Sequence, residues 1–373
     1  MKDINVYLRL GSHPLYKELV AVPPRRVNYT LSGMTTANSS GPLRAIKRKV
    51  WKGITAIMPP QFNYSGSTNL VHSCYSSLVR TNAPWVVDTE HAASFANYHM
   101  SAYNRPTYRR QIEHLLSAAS CKRIMTWSNA AHESMVNDFP TEVANKCVTI
   151  YPAIRPHPIR REKTNTVRLL AVSRSFDEKG GRRVLHMFND LRKHFDVSLT
   201  MVSNAPTDII KQYKGVITFV KPNLSQERLL DEFYTNADIF LQPSFSDTFG
   251  FTMLEAMSTG LPIVTTDVFA GPELVEDGKN GFLVHSDLSA LDEKHRLVYH
   301  WDYGNWSEFL ARCAAFDPRF NMEFTAKVRE LVEDASLRNR MGRRSLEMVK
   351  NGRFSITARN AALRKAYTDA LGI

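Results

Sequence analysis

An α/β protein with two doubly wound domains is the fold class that three features of the sequence predict. At 373 residues the chain is too long for one ordinary core and suits two domains of similar size. Apolar strand candidates alternate with amphipathic helix candidates through both halves, the pattern of parallel sheets with helices on both faces. Between the halves, PAIRPHPIRREKTNT (152–166) is Pro-rich and charged with no periodicity, as a linker would be. This gives a first domain over 1–155, a second over 166–353 and a cleft between them.

The second half shows the alternation clearly. VRLLAVS (167–173) reads as a strand, and GGRRVLHMFNDLRKHF (180–195) carries helical spacing at Val184, Leu185, Phe188 and Leu191. VSLTMVS (197–203) and GVITFVK (215–221) are the next strands, and LSQERLLDEFYTNA (224–237) is a helix opening at a Ser cap. DIFLQPS (238–244), LPIVTTD (261–267) and NGFLVH (280–285) complete the series. Ligands of such sheets bind at the carboxyl ends of the strands, so the loops after Val172, Leu241 and Val264 are where chemistry is expected. In the first half the strand candidates are 4–10, 27–32, 69–74, 84–91, 123–128 and 147–152, with helices around 106–120 and 129–138.

Composition narrows the function classes. Hydrophobic residues at 43% and charged residues at 23% are globular values. No apolar run is long enough for a spanning helix, and the N-terminus lacks the apolar core of a signal peptide, so a cytoplasmic chain is expected. Cys74, Cys121, Cys147 and Cys313 are scattered, which points to neither a zinc site nor a disulfide framework. The net charge of +12 lies entirely in the first half, where residues 1–165 hold 21 Lys and Arg against 9 Asp and Glu, while 166–373 hold 27 of each. Its densest clusters are PLRAIKRKVWKG (42–53) and RPTYRRQ (105–111). Such a half suits an acidic partner: anionic lipid, an acidic or phosphorylated acceptor, or nucleic acid; a basic surface that serves only solubility is the plainer alternative.

SDTFGFTMLEAMSTGLPIV (246–264) places two carboxylates, Asp247 and Glu255, around a Phe249-Gly250-Phe251 turn between two strands. Were the helix here to start near Thr252, Thr252 and Glu255 would have the spacing of a capping box, and Asp247 would be a loop residue bonded to its own backbone. The same helix end could instead bind phosphate oxygens, with Gly250 allowing close backbone approach and the carboxylates accepting from sugar hydroxyls.

The stretch NADIFLQPSFSDTFGFTMLEAMSTGLPIVTTDVFAGPELVEDGKNGFLV (236–284) resembles the donor-binding region of the retaining glycosyltransferases of the GT-B fold, family 4. In that family two acidic residues with seven between them frame a Phe-Gly turn; Asp247 and Glu255 match the spacing, although most members have Glu at the first position. LLAVSRSFDEKGG (169–181) matches the family's pair of cations for the donor diphosphate at Arg174 and Lys179. His91, ending PWVVDTEH (84–91), matches a His that faces the donor sugar from the acceptor side, and Gly11 stands where many members have a Gly-Gly turn. GRFSITARNAALRKAYTDALG (352–372) resembles the last helix, which crosses back onto the first domain, so 354–373 is assigned there.

The resemblance implies a retaining glycosyltransferase that needs no metal or other cofactor, in keeping with the absence of a DxD motif. It places Glu255 on the ribose hydroxyls and Arg174 and Lys179 on the diphosphate. Backbone N–H groups from Thr252 to Leu254 assist, and Asp247 with Phe249, Gly250 and Phe251 holds the sugar. The partners implied are a nucleotide sugar and a glycan or lipid-linked acceptor, with an anionic membrane surface on the cytoplasmic face suiting the basic half. Two other classes stand beside this one: a noncatalytic nucleotide- or glycan-binding protein of the same fold, and a nucleic-acid-binding protein, for which no motif is visible.

Overall fold

A computed structural model describes residues 2–11, 13, 15–32, 53–157 and 164–373. The basic cluster at 42–52 and the middle of the linker, 158–163, lie outside the described residues. The chain divides into two compact units. One comprises residues 1–152, 292–305 and 357–373, and the other comprises 153–291 and 306–356. Asp292–Asn305, which falls inside the stretch read from sequence as the second domain, is thus part of the first unit.

Among the described residues, the first unit holds eight strands: β1 (Ile4–Arg9), β2 (Val27–Ser32), β3 (Gln61–Asn63), β4 (Leu70–Ser73), β5 (Leu78–Arg80), β6 (Trp85–Thr89), β7 (Cys121–Thr126) and β8 (Cys147–Thr149). Six form a parallel sheet in the order β2-β1-β4-β6-β7-β8, and β3 pairs with β5 in a separate ribbon. That ribbon and the helix Leu15–Ala21 were not legible in the sequence, being too short to show a period. The core includes Val71, Trp85, Phe95, Ile112, Leu116 and Ile124. Lys146 closes the helix Pro106–Ser117, donating to the carbonyls of Leu116, Ser117 and Ala118 at 2.7, 2.8 and 2.9 Å.

A buried polar network crosses the same sheet. Asp88, on the apolar strand β6, accepts from Tyr16 Oη at 2.6 Å, Trp127 Nε1 at 3.2 Å and the Tyr75 amide at 3.0 Å, all on Oδ1. Its Oδ2 lies 2.9 Å from His72 Nε2. His72 Nδ1 lies 2.7 Å from the Tyr367 hydroxyl, itself 3.1 Å from that of Tyr29. Tyr367 belongs to the last helix, Ile356–Leu371, and Arg359 of that helix donates to the Val22 carbonyl at 2.8 Å. Buried hydrogen bonds therefore fasten the chain's end to the first unit's sheet.

The second unit holds β9 (Val167–Val172), β10 (Val197–Val202), β11 (Thr218–Val220), β12 (Ile239–Gln242), β13 (Ile263–Thr266) and β14 (Gly281–Val284). All pair in parallel in the order β11-β10-β9-β12-β13-β14. Helices on both faces leave β12 and β13 wholly buried, which is why they read as unbroken apolar runs. Counting strands within this unit, the order is 3-2-1-4-5-6, and it reverses between β9 and β12. The crevice outside the carboxyl ends of those two strands is the expected ligand position.

Two loops leave that crevice, and glycine brings them together. Gly180 has φ +74°, and a Cβ on it would stand 2.2 Å from the Pro243 carbonyl oxygen just beyond β12. No other residue type fits there without moving backbone. Gly180→Ala is therefore expected to destabilise the second unit by about 2–4 kcal/mol, combining the left-handed penalty with overpacking. Urea denaturation reads this directly; a loss below about 0.5 kcal/mol would show that the two loops do not need to touch.

Candidate functional site

The loop that follows β9 carries Lys179 to the loop that follows β12. The Lys179 ammonium lies 3.0 Å from Asp247 Oδ2 and also donates to the Ser246 carbonyl. Both side chains of the ion pair are 19% exposed. Asp247 Oδ1 accepts from the Thr248 amide at 2.9 Å, so the local backbone bond expected of a loop Asp is present together with the ion pair. Asp247 Oδ2 also takes the Gln242 amide at 2.7 Å, and Thr252 donates its hydroxyl to Gln242 Oε1. Lys179, Asp247, Gln242 and Thr252 thus form one chain of polar contacts across the mouth of the crevice. The β12 exit is held from the next strand by Thr265, whose hydroxyl donates to the Gln242 carbonyl at 2.7 Å.

The helix after this loop is Phe251–Ser258, with Gly250 as its N-cap at φ +99°. The capping box is a misreading: no side chain caps this helix, because the left-handed Gly250 starts it before Thr252 and turns Glu255 inward as the fifth helical residue. Glu255 is 8% exposed and accepts from Gln226 Nε2 at 2.7 Å and Tyr234 Oη at 3.0 Å. Burial raises its carboxyl above the ordinary value, and the two hydrogen bonds counter that rise. The Met253 and Leu254 amides donate to the Gly250 carbonyl at 3.0 and 3.1 Å, so the Leu254 N–H is engaged within the helix. Phe249 is buried against Phe251 and Phe354, ring centroids 5.0 and 6.3 Å away, which fixes the turn from beneath.

Arg174 stands exposed beyond the end of β9, where its carbonyl accepts from Asn204 Nδ2 at 2.9 Å. No described side-chain contact joins it to Lys179 or Asp247. Gln242, Gln226 and Tyr234 were not singled out in the sequence. Gln242 alone left a signal there, as a polar residue ending the otherwise apolar strand IFLQ.

His91 lies in the first unit, 1% exposed, at the N-cap of a short 3-10 helix, Ala92–Ala96. Its Nδ1 accepts from the Ala93 amide at 3.0 Å, and Nε2 donates to the His295 carbonyl at 2.6 Å. Both nitrogens hold the returning segment 292–305 and the turn after β6. Among the described residues, His72, Cys74 and Asp88 bring potential metal-ligand atoms within 4.8 Å of one another. His72 and Asp88 are committed to the buried network, and burial holds the Cys74 thiol protonated, so the cluster fits a hydrogen-bonded core better than a metal cage. A groove of about 730 Å³ between the helices Gly181–Leu191 and Pro318–Glu333 is lined by none of the site residues named above.

Burial lowers the pKa of His91, and that of His300 to about 4. Folded, both stay neutral as pH falls, whereas the unfolded chain binds protons below about 6.5. The stability they contribute is complete above that pH and is lost as pH falls toward 4, on the order of 2 kcal/mol for His300. Urea titrations from pH 7.5 to 4 should show this, and His300→Asn should flatten the dependence; an unchanged slope would remove His300 as its source.

The chain is similar in sequence and in fold to known proteins. Residues 166–299 match the family described as Glycosyl transferases group 1. The chain is 30% identical over 158 residues to D-inositol 3-phosphate glycosyltransferase of Corynebacterium aurimucosum, covering 42% of this chain and 29% of that protein. It is 26% identical over 256 residues to spore coat protein SA of Bacillus subtilis, covering 58% and 64%. The chain thus spans less than two thirds of either relative. Sucrose-phosphate synthase from Thermosynechococcus elongatus superposes with a TM-score of 0.64 at 14% identity, over 99% of each chain. Anabaena HepE in complex with UDP does so at 0.60 and 13%, over 99% of this chain and 100% of that one. The matched stretch takes in the strands, turn and helix that hold Lys179, Asp247 and Glu255; over it the chain is similar to the group 1 glycosyltransferases, and the whole chain has the GT-B fold of these solved structures.

Proposed function

We propose that this protein transfers a sugar, with retention of anomeric configuration, from a nucleotide-sugar donor to a glycan or lipid-linked acceptor, and needs no metal. The observation that carries this reading is the polar chain Lys179–Asp247–Gln242–Thr252 at the β9/β12 crevice, with Glu255 one helical turn further on. A phosphate-binding cation, a carboxylate for sugar hydroxyls and a second carboxylate for ribose are the groups a nucleotide sugar requires. Support also comes from HepE, whose structures were solved with UDP, with UDP and glucose, and with UDP-glucose. Noncatalytic binding of the same ligand is the alternative, and the shorter Asp247 is the feature that favours it.

In the proposed reaction the bond between the anomeric carbon and the diphosphate oxygen breaks, and its electron pair stays with the diphosphate. The acceptor oxygen bonds to the same face of the carbon, and its proton passes to a diphosphate oxygen. Lys179 and Arg174 would stabilise the charge that develops on the leaving group. Because an unprotonated diphosphate oxygen serves as the base, no side chain is needed for that step, which suits a His91 with both nitrogens engaged.

Binding and slow hydrolysis across UDP-, GDP- and ADP-linked sugars test the reading. One donor is expected to bind, and Glu255→Ala and Lys179→Ala to weaken it at least about tenfold each, the loss from removing one charge-assisted contact. Unchanged binding in both variants, in folded protein, would remove the crevice from consideration.

Membrane association on the cytoplasmic face is supported by a separate patch on the first unit. Ile54, Ile57 and Met58 are 43, 74 and 37% exposed, and Arg105 donates to the neighbouring Ala56 carbonyl. Apolar side chains beside cations suit the headgroup region of an anionic bilayer. Among the described residues no helix is long and apolar enough to cross a membrane. Flotation with vesicles containing phosphatidylglycerol should carry the protein upward, and Ile57→Glu should reduce that several-fold. Equal flotation with neutral vesicles, or none, would favour a soluble acidic acceptor.

A further inference from the structure

Glu255 has two oxygens, and the structure treats them differently. Oε2 accepts from Tyr234, which is 0% exposed, while Oε1 accepts from Gln226, which is half-buried. Both partners come from one short helical stretch, an α-turn Gln226–Arg228 that passes into a π-helical turn Leu229–Tyr234. In a continuous α-helix residues eight apart point ~80° away from each other. The wider π turn, closed by the Thr235 amide on the Leu230 carbonyl at 3.1 Å, rotates each residue less and brings both side chains to one carboxylate. The Tyr234 ring is fixed further by Phe240, with centroids 5.5 Å apart.

We propose that Tyr234 is a fixed positioning residue on Glu255 Oε2, and that Gln226 is an exchangeable partner on Oε1 whose place a ribose hydroxyl takes when the donor binds. This rests on reading Glu255 as the ribose-binding residue. A ligand can approach Glu255 only from the half-buried side, because the Tyr234 side is closed. A hydroxyl and an amide N–H are equivalent donors to a carboxylate, so the exchange keeps the number of hydrogen bonds constant. Gln226 is in the first turn after its Ser225 cap and can swing outward, since its neighbours Ser225 and Glu227 are exposed. Such a pair makes the site selective for the sugar of the nucleotide: with a deoxyribose ligand Gln226 keeps its bond, and the ligand gains nothing from Glu255.

Isothermal titration of the full chain with UDP, GDP and ADP, and with their 2′,3′-dideoxy counterparts, tests the division of roles. Tyr234→Phe keeps the ring and removes only the hydroxyl. It is expected to weaken the ribonucleotide by about tenfold while leaving the dideoxynucleotide unchanged. Gln226→Ala is expected to leave ribonucleotide affinity within twofold of wild type or to tighten it. A Gln226→Ala loss as large as that of Tyr234→Phe would overturn the exchange. A proportional loss for both nucleotides in Tyr234→Phe would make Tyr234 a support of the fold alone, and should that variant not fold, the Gln226→Ala result decides. Glu255→Ala separates the two levels: the ribose preference should vanish, and if it persists the ribose role of Glu255 fails and the division of roles with it.

Discussion

The close approach of Gly180 to the Pro243 carbonyl is the constraint on which the candidate site depends. The strand order of the second unit makes β9 and β12 neighbours, but their exit loops lead to helices and would diverge. A residue with no Cβ lets the first loop press against the backbone of the second. Lys179, one residue earlier, then reaches both the Ser246 carbonyl and the Asp247 carboxylate. From Asp247 the contacts pass to Gln242 and on to Thr252, so the side-chain arrangement follows from one backbone contact.

How much of this was legible depends on how far apart the partners stand in the chain. The strands of the second unit could be read because both faces are buried and apolar runs result. The Asp247 to Glu255 spacing and the Lys179-Gly180 turn are local patterns, so they too were visible. The partners of Glu255 were not, since Tyr234 and Gln226 lie 21 and 29 residues before it and meet it only through a π turn. That turn breaks the 3.6-residue period by which a helical face is read, so LSQERLLDEFYTNA gave a helix but no face. The capping box failed for a related reason: spacing fixed the separation of Thr252 and Glu255, while the left-handed Gly250 fixed where the helix starts.

The first unit shows the complementary limit. A carboxylate inside PWVVDTEH is visible in the sequence, yet its meaning comes from Tyr16, His72, Tyr75 and Trp127, drawn from a helix, a strand and loops spread along the chain. The network continues to Tyr367, 295 residues beyond His72. No local pattern contains such a contact. The return of 292–305 to this unit escaped for the same reason, since it is secured by single hydrogen bonds such as those of His91 Nε2 to the His295 carbonyl and Asn137 Nδ2 to the Lys294 carbonyl.

The two units therefore use polar residues in opposite ways. Asp88, His72 and His91 are nearly inaccessible and already bonded, an arrangement that specifies the fold and resists exchange of partners. Lys179 and Asp247 are each about one fifth exposed. A fully exposed pair would be screened and weak, and a fully buried one could not release its partners without leaving a charge desolvated. At intermediate exposure the pair is strong enough to hold the loop and open enough for a phosphate or sugar oxygen to replace one of its members at small loss. Glu255 solves the same problem differently, with one oxygen on a closed tyrosine and the other on a glutamine at the rim. Exchangeable charge at the carboxyl ends of a parallel sheet distinguishes the candidate site in the second unit's crevice from the structural network of the first unit.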